Sequence, residues 1–125
     1  MTGDIEKMYR QFLVRNQDRI YQKIIWRDEE GIRNVYKLNT VTFGLSAAPF
    51  LVIRCLRQLA DEGALHFQTA FETLKRDLYV DDLITAANTL DDMITLRNEM
   101  IQLLHRGGMS IHQWATNTIG TIRIA

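Results

Sequence analysis

Two strand-like runs, Leu78-Tyr79-Val80 and Leu83-Ile84-Thr85, are separated only by Asp81-Asp82. A two-residue link is far too short for a crossover between parallel strands, so the runs must fold back as a tight antiparallel hairpin. Asp-Asp is a poorer turn pair than Asn-Gly, and two adjacent carboxylates at a hairpin tip repel unless a cation offsets them. Hard divalent ions such as Mg²⁺ take carboxylate oxygens and keep open positions for substrate phosphates. Neighbours in extended backbone point to opposite sides, so the two aspartates are expected to have different roles. Asp91-Asp92 is an internal control. It falls in the first turn of an expected helix, where the macrodipole accounts for it without any metal.

Turn signals cut the rest of the chain into short elements. Thr2-Gly3-Asp4-Ile5 reads as the end of a strand, and 5–14 as the start of a helix or an extended segment. Runs 21–27 and 32–38 read as a second hairpin around Asp28-Glu29-Glu30-Gly31. Residues 46–62 read as a helix, with Ser46 as N-cap, Pro49 in the first turn, Gly63 as the stop, and a core stripe of Phe50, Ile53, Leu56 or Arg57, and Ala60. A short helix over 64–76 is centred on Phe67, Phe71 and Leu74. Thr89 and Asp92 give a capping signal for a helix over 90–105, ended by Gly107-Gly108, and 109–114 reads as a strand. Helices interspersed with antiparallel hairpins define an α+β domain with helices on one sheet face.

The chain's 125 residues suffice for one domain, and no apolar run approaches the roughly 18 to 20 residues needed to span a bilayer. Asp4, Glu6, Lys7 and Arg10 exclude a signal peptide over 1–15. Cys55 is the only cysteine, which excludes an internal disulfide and points to a reducing compartment. On the 46–62 helix it reads as a small buried hydrophobe. Fifteen basic residues balance fifteen acidic ones, but unevenly: 1–40 carry eight basic and six acidic side chains, whereas 77–105 carry six acidic ones against Arg97 alone. Such an acidic centre suits a cation, and Arg10, Arg15, Arg19 and Lys23 are candidates to follow a nucleic-acid backbone or are plain solvated charges. A two-metal site needs a carboxylate from another segment; Asp4 is the best placed, ahead of Asp77 and Asp18.

Three segments in order carry a family resemblance: Asp4-Ile5-Glu6-Lys7-Met8-Tyr9, Thr42-Phe43-Gly44-Leu45-Ser46-Ala47-Ala48-Pro49-Phe50, and Tyr79-Val80-Asp81-Asp82. They resemble reverse-transcriptase motifs A, B and C. Asp-Ile-Glu-Lys-Met, Thr-Val-Thr-Phe-Gly, Ile53-Arg54-Cys55-Leu56 and Trp114-Ala115-Thr116-Asn117 look specifically like Bel-Pao-type retrotransposons. The resemblance covers nearly the whole of 1–125. It implies a reverse-transcriptase palm with part of the fingers, truncated. The remaining fingers would lie upstream, with thumb, ribonuclease H and integrase elsewhere in a polyprotein.

By that resemblance Asp4, Asp81 and Asp82 are the catalytic carboxylates. Asp4 and Asp81 hold two Mg²⁺ ions (Mn²⁺ being the alternative), with the Ile5 carbonyl and Asp82 in support. Tyr9 is the aromatic gate under the incoming deoxynucleotide's sugar, although by itself it reads equally as a core tyrosine. Phe43 and Gly44 contact the nascent base pair, and Tyr79 and Val80 lie near the primer end. Phe50 reads as plain packing, and the same bland reading stands beside the functional one for Phe43 and Val80. Gly107-Gly108-Met109-Ser110-Ile111 resembles motif D, but Gln113 stands where the family has a lysine. Glutamine is no proton donor to pyrophosphate; protonated His112 is one. His66 and His105 lack ligand spacing. The implied partners are an RNA or DNA template-primer and dNTP, with no membrane, in a cytoplasmic retrotransposon particle. The competing readings are an inactive remnant that binds nucleic acid or protein, and a metal-dependent nuclease, which leaves motif B and Tyr9 unexplained.

Overall fold

The computed structural model describes residues 1–117, so the end of the expected 1–125 domain lies outside the described residues. The elements run β1 (Thr2–Ile5), β2 (Lys23–Arg27), β3 (Arg33–Lys37), α1 (Ala48–Gly63), α2 (Gln68–Arg76), β4 (Leu78–Tyr79), β5 (Asp82–Ile84), α3 (Leu90–Arg106) and β6 (Ile111–Ala115). Single 3₁₀ segments occupy Met8–Gln11 and Asn16–Tyr21. An antiparallel sheet has the order β4-β5-β1-β6, and β2-β3 forms a separate hairpin. The chain is α+β, as its patterning predicts.

The period of two in β1 sets the layers. Gly3 and Ile5 face inward, opposite Leu83 and Ile111, while Asp4 faces outward. Ile5, Leu83 and Ile111 join Val52, Leu56, Leu74, Met100, Leu103 and Leu104 in one core, so the helices cover this face alone. Ile5 and Leu83 are almost wholly buried, each contributing about 1.5–3 kcal/mol relative to exposure. On the other face Asp82, Ile84 and His112 are exposed. Gly3 is buried because there is no room for more: a Cβ would lie 3.0 Å from Ile111 Cδ1 and 3.1 Å from the Trp114 ring.

That fit depends on a bulge in β6. Thr2 pairs with Ala115 but Asp4 with His112, so β6 carries one extra residue. Gln113 absorbs it at φ 52°, in the left-handed region that only glycine adopts without strain. The bulge turns both Ile111 and Trp114 inward although they lie three apart.

The third long helix follows its sequence signal. The Thr89 hydroxyl oxygen accepts from the Asp92 amide at 3.1 Å and donates to its carboxylate at 2.7 Å. At the other end Gly108, at φ 75°, turns the chain back. The first helix departs from expectation. It starts at Ala48 with no side-chain cap, so Ser46 is not its N-cap. Its buried stripe is Ala48, Val52, Leu56, Ala60 and Gly63, and Phe50 is 69% exposed, which overturns the packing assigned to it. Cys55 shares the exposed side rather than the core. The small size of Ala48 and Ala60 lets other elements approach closely, and that outweighs the larger apolar area of Phe50. The second helix begins at Gln68 rather than 64, after His66 and Phe67 turn back onto the Gly63 carbonyl.

Gly63 is the last helical residue rather than a stop beyond the helix, and it is buried. A Cβ there would collide with Leu103 of α3. Alanine normally gains about 1 kcal/mol over glycine within a helix. Gly63→Ala is expected to reverse that sign and cost about 1–3 kcal/mol by overpacking, measured by urea denaturation.

Candidate active site

The sheet brings distant segments of the chain onto its uncovered face. Asp4 pairs with Asp82 on one side and with His112 on the other, and directly opposed residues share a face. The Ile5 amide donates to the Asp81 carbonyl at 2.9 Å, which fastens the hairpin tip to β1. Burial raises the Asp4 carboxyl above its ordinary value of 3.8. The negative charges of Asp81 and Asp82, and more weakly Glu6, raise it further, while His112 opposes them. A cation on this face would relieve that strain.

The tip differs in detail from the sequence expectation. Leu78 pairs with Leu83 and Tyr79 with Asp82, so the two-residue link is Val80-Asp81 and Asp82 opens β5. Val80 has φ 58°, a strained position for a β-branched residue. Its side chain packs half-buried against the core, which offsets part of that cost. Tyr79 is exposed beside the tip. The two aspartates therefore differ in setting, one in the turn and one in the ladder.

Tyr9 and Phe43, from the first two motifs, meet with ring centroids 4.5 Å apart at 50°. The Val14 amide donates to the Asn39 carbonyl and the Val41 amide to the Phe12 carbonyl, both at 2.9 Å, which brings the segments together. Tyr9 is buried and Phe43 is 65% exposed, so the pair forms a rooted aromatic wall with one open side. Gly44 sits at φ 86°, and nothing lies within 4 Å of where its Cβ would be. Its absent side chain leaves open space.

Sequence reasoning missed Glu6, whose Oε2 is 3.0 Å from His112 Nε2. Two of the four basic residues after motif A have partners within their own loop. Arg15 pairs with Asp18 at 3.0 Å, and Arg19 donates to the Val14 carbonyl at 2.8 Å and to Asn39 at 3.1 Å. Those two serve the local loop. Gln113, in the bulge, is exposed. Asp77 is held as a brace: it accepts from Arg76 Nε at 2.6 Å and Nη2 at 2.7 Å, and from the Thr85 hydroxyl at 2.7 Å.

For a divalent ion, the donor chemistry fits: hard carboxylate oxygens with unrelieved like charge. Among the described residues, no three carboxylate, histidine or cysteine side chains already stand at ion-holding distance, so the carboxylates must rotate toward one another to share an ion. Among the described residues, no helix is long and apolar enough to cross a membrane.

Against that geometry, the sequence model of the family described as "Reverse transcriptase (RNA-dependent DNA polymerase)" matches residues 1–118. The chain belongs to the reverse-transcriptase family, whose members are RNA-directed DNA polymerases acting on a template-primer with dNTP. No curated protein matches it.

Two outcomes follow from the charges. The Arg76 hydrogen bond, helped by Thr85, holds the Asp77 carboxyl below its ordinary 3.8 despite burial. A lowered folded value means stability that is present above 3.8 and lost as pH falls through the folded value. Asp77→Asn is therefore expected to lose less stability than the parent between about pH 4 and pH 2 in acid titrations followed by circular dichroism. Asp4→Asn removes a charge the fold disfavours and is expected to raise Tm at pH 7, on the order of 3 °C by calorimetry.

Proposed function

We propose that this chain carries the polymerising centre of a Bel-Pao-type reverse transcriptase, working with further polyprotein segments in a cytoplasmic particle. The observation that carries the reading is Asp4 paired with Asp82 on the uncovered face and Asp81 in the adjoining turn, with the charge on Asp4 disfavoured by the other two. Asp4, Asp81 and Asp82, with the Ile5 carbonyl, would hold two Mg²⁺ ions. When bound, the ions lower the pKa of the primer 3′-hydroxyl and neutralise charge on the leaving pyrophosphate.

The protein's own groups do the rest. Asp4 and Asp81 set the ligand positions, and Asp82 supports them from the adjacent strand. The Tyr9–Phe43 wall receives the sugar, where a 2′-hydroxyl would clash with the Tyr9 ring. Gly44 leaves room for the nascent base pair, and Tyr79 and Val80 flank the primer end. His112, aligned by Glu6, stands near Asp4 on the strand where the family supplies its motif D lysine.

Primer extension on an RNA template with Mg²⁺ tests this reading. Asp81→Asn is expected to lower the rate about 10²-fold or more, and Tyr9→Ala to admit ribonucleotides. Millimolar Mg²⁺ is expected to raise the parent's Tm, by about 2.7 kcal/mol of stability at a hundred times its Kd, and to leave Asp4→Asn unmoved. The exposed Gln113 in place of lysine favours a second reading, an inactive domain that binds nucleic acid. No extension, even by a longer protein that includes the flanking reading frame, would rule out the enzyme, and retained RNA binding by that protein would then support the second reading.

A further inference from the structure

In the β2–β3 hairpin, Lys23 lies directly opposite Lys37, Ile25 opposite Val35, and Arg27 opposite Arg33. Alternate residues share a face, so all six side chains stand on one face, with two like-charged pairs at its ends. Like charges directly opposed across a ladder destabilise it. Among the described residues no acid pairs with any of the four cations; the Arg27 guanidinium donates only to the Gly31 carbonyl, at 3.2 Å. The hairpin's own acids are at its tip: Asp28 is engaged by the Glu30 and Ile32 amides and by Asn34, while Glu29 and Glu30 are exposed. Between the charges Ile25 and Val35 are 70% and 63% exposed. A two-stranded hairpin is marginal alone, and one that opposes its cations in pairs is built for an anionic occupant.

We infer that this face binds the sugar-phosphate backbone of single-stranded nucleic acid. The two cation pairs stand about 14 Å apart along the strands, four residues at about 3.4 Å each, roughly twice the spacing of phosphates in an extended strand, so they reach phosphates two nucleotides apart. Ile25 and Val35 lie between them, where sugars and unpaired bases of a single strand come to the surface. A duplex hides its bases and would leave that apolar pair uncovered. The choice of nucleic acid over an acidic protein rests on the polymerase reading; the charge pattern itself does not.

The test is fluorescence anisotropy of the whole chain with a labelled single-stranded RNA over a salt series, with primer extension measured on the same protein. For four phosphate contacts on a single strand, replacing Lys23, Arg27, Arg33 and Lys37 together by Gln is expected to reduce the slope of log K against log salt by about 2.8. Affinity at low salt is expected to fall about tenfold or more. Because the substitutions remove opposed like charges, the variant is expected to melt no lower than the parent, which separates lost contact from lost fold. An unchanged slope and affinity would overturn the inference, as would an equal, equally salt-dependent affinity for polyglutamate, or no RNA binding by the parent at about 50 mM salt. Failed primer extension with the slope change intact would remove the polymerase reading and leave this face standing.

Discussion

Burial of alternate residues in β1 is the constraint on which the rest depends. Gly3 and Ile5 are drawn into the core, and the pleat then forces Asp4 out on the opposite face. A slip of one residue would bury a carboxylate and expose Ile5, so the apolar contacts of Ile5, Leu83 and Ile111 hold the charged face in register. The site is thus stabilised from behind. The like charges of Asp4, Asp81 and Asp82 work against the fold, and core packing offsets them.

The same division of labour recurs at the hairpin tip. Val80 accepts a left-handed backbone in order to place Asp81 in the turn and Asp82 in the ladder. Three contacts support that strain: the Ile5 amide on the Asp81 carbonyl, the packing of Val80, and the Asp77–Thr85 brace at the base of the hairpin. Asp77 belongs to the scaffold rather than to the chemistry, and its short bonds to Arg76 leave it nothing to offer an ion.

Much of this is legible in the residues themselves. The Thr89–Asp92 cap marks α3 because a side-chain oxygen three residues before an orphan amide has one evident use. The hairpin at 78–85 follows from the length of its link, although the turn lies one residue earlier than the carboxylate pair suggests. The buried stripe of α1 is hidden because close approach favours Ala48 and Ala60, while Phe50 and Ile53 carry the stronger hydropathy signal. Gly63 reads as punctuation because a sequence does not reveal Leu103 of another helix packed against it. The bulge at Gln113 has no residue signal, since glutamine is an unusual occupant of a left-handed position. The Glu6–His112 pair joins residues whose proximity exists only once β1 and β6 are paired.

The strand order also sets the sequence of events by which the domain is made. β1 lies between β5 and β6 in the sheet, and these two neighbours come about 80 and about 110 residues later in the sequence. Helices α1 and α2 have local contacts and can dock early, but the first aspartate has no partner strand until the hairpin arrives. It has both neighbours only when β6 closes the sheet. Such long closures make folding slow, and a nascent chain on the ribosome would carry β1 unpaired, with Ile5 uncovered, until those strands emerge. The carboxylate face is therefore the last of the described elements to be completed, and conditions that interrupt folding late would leave the helices in place and the site unbuilt.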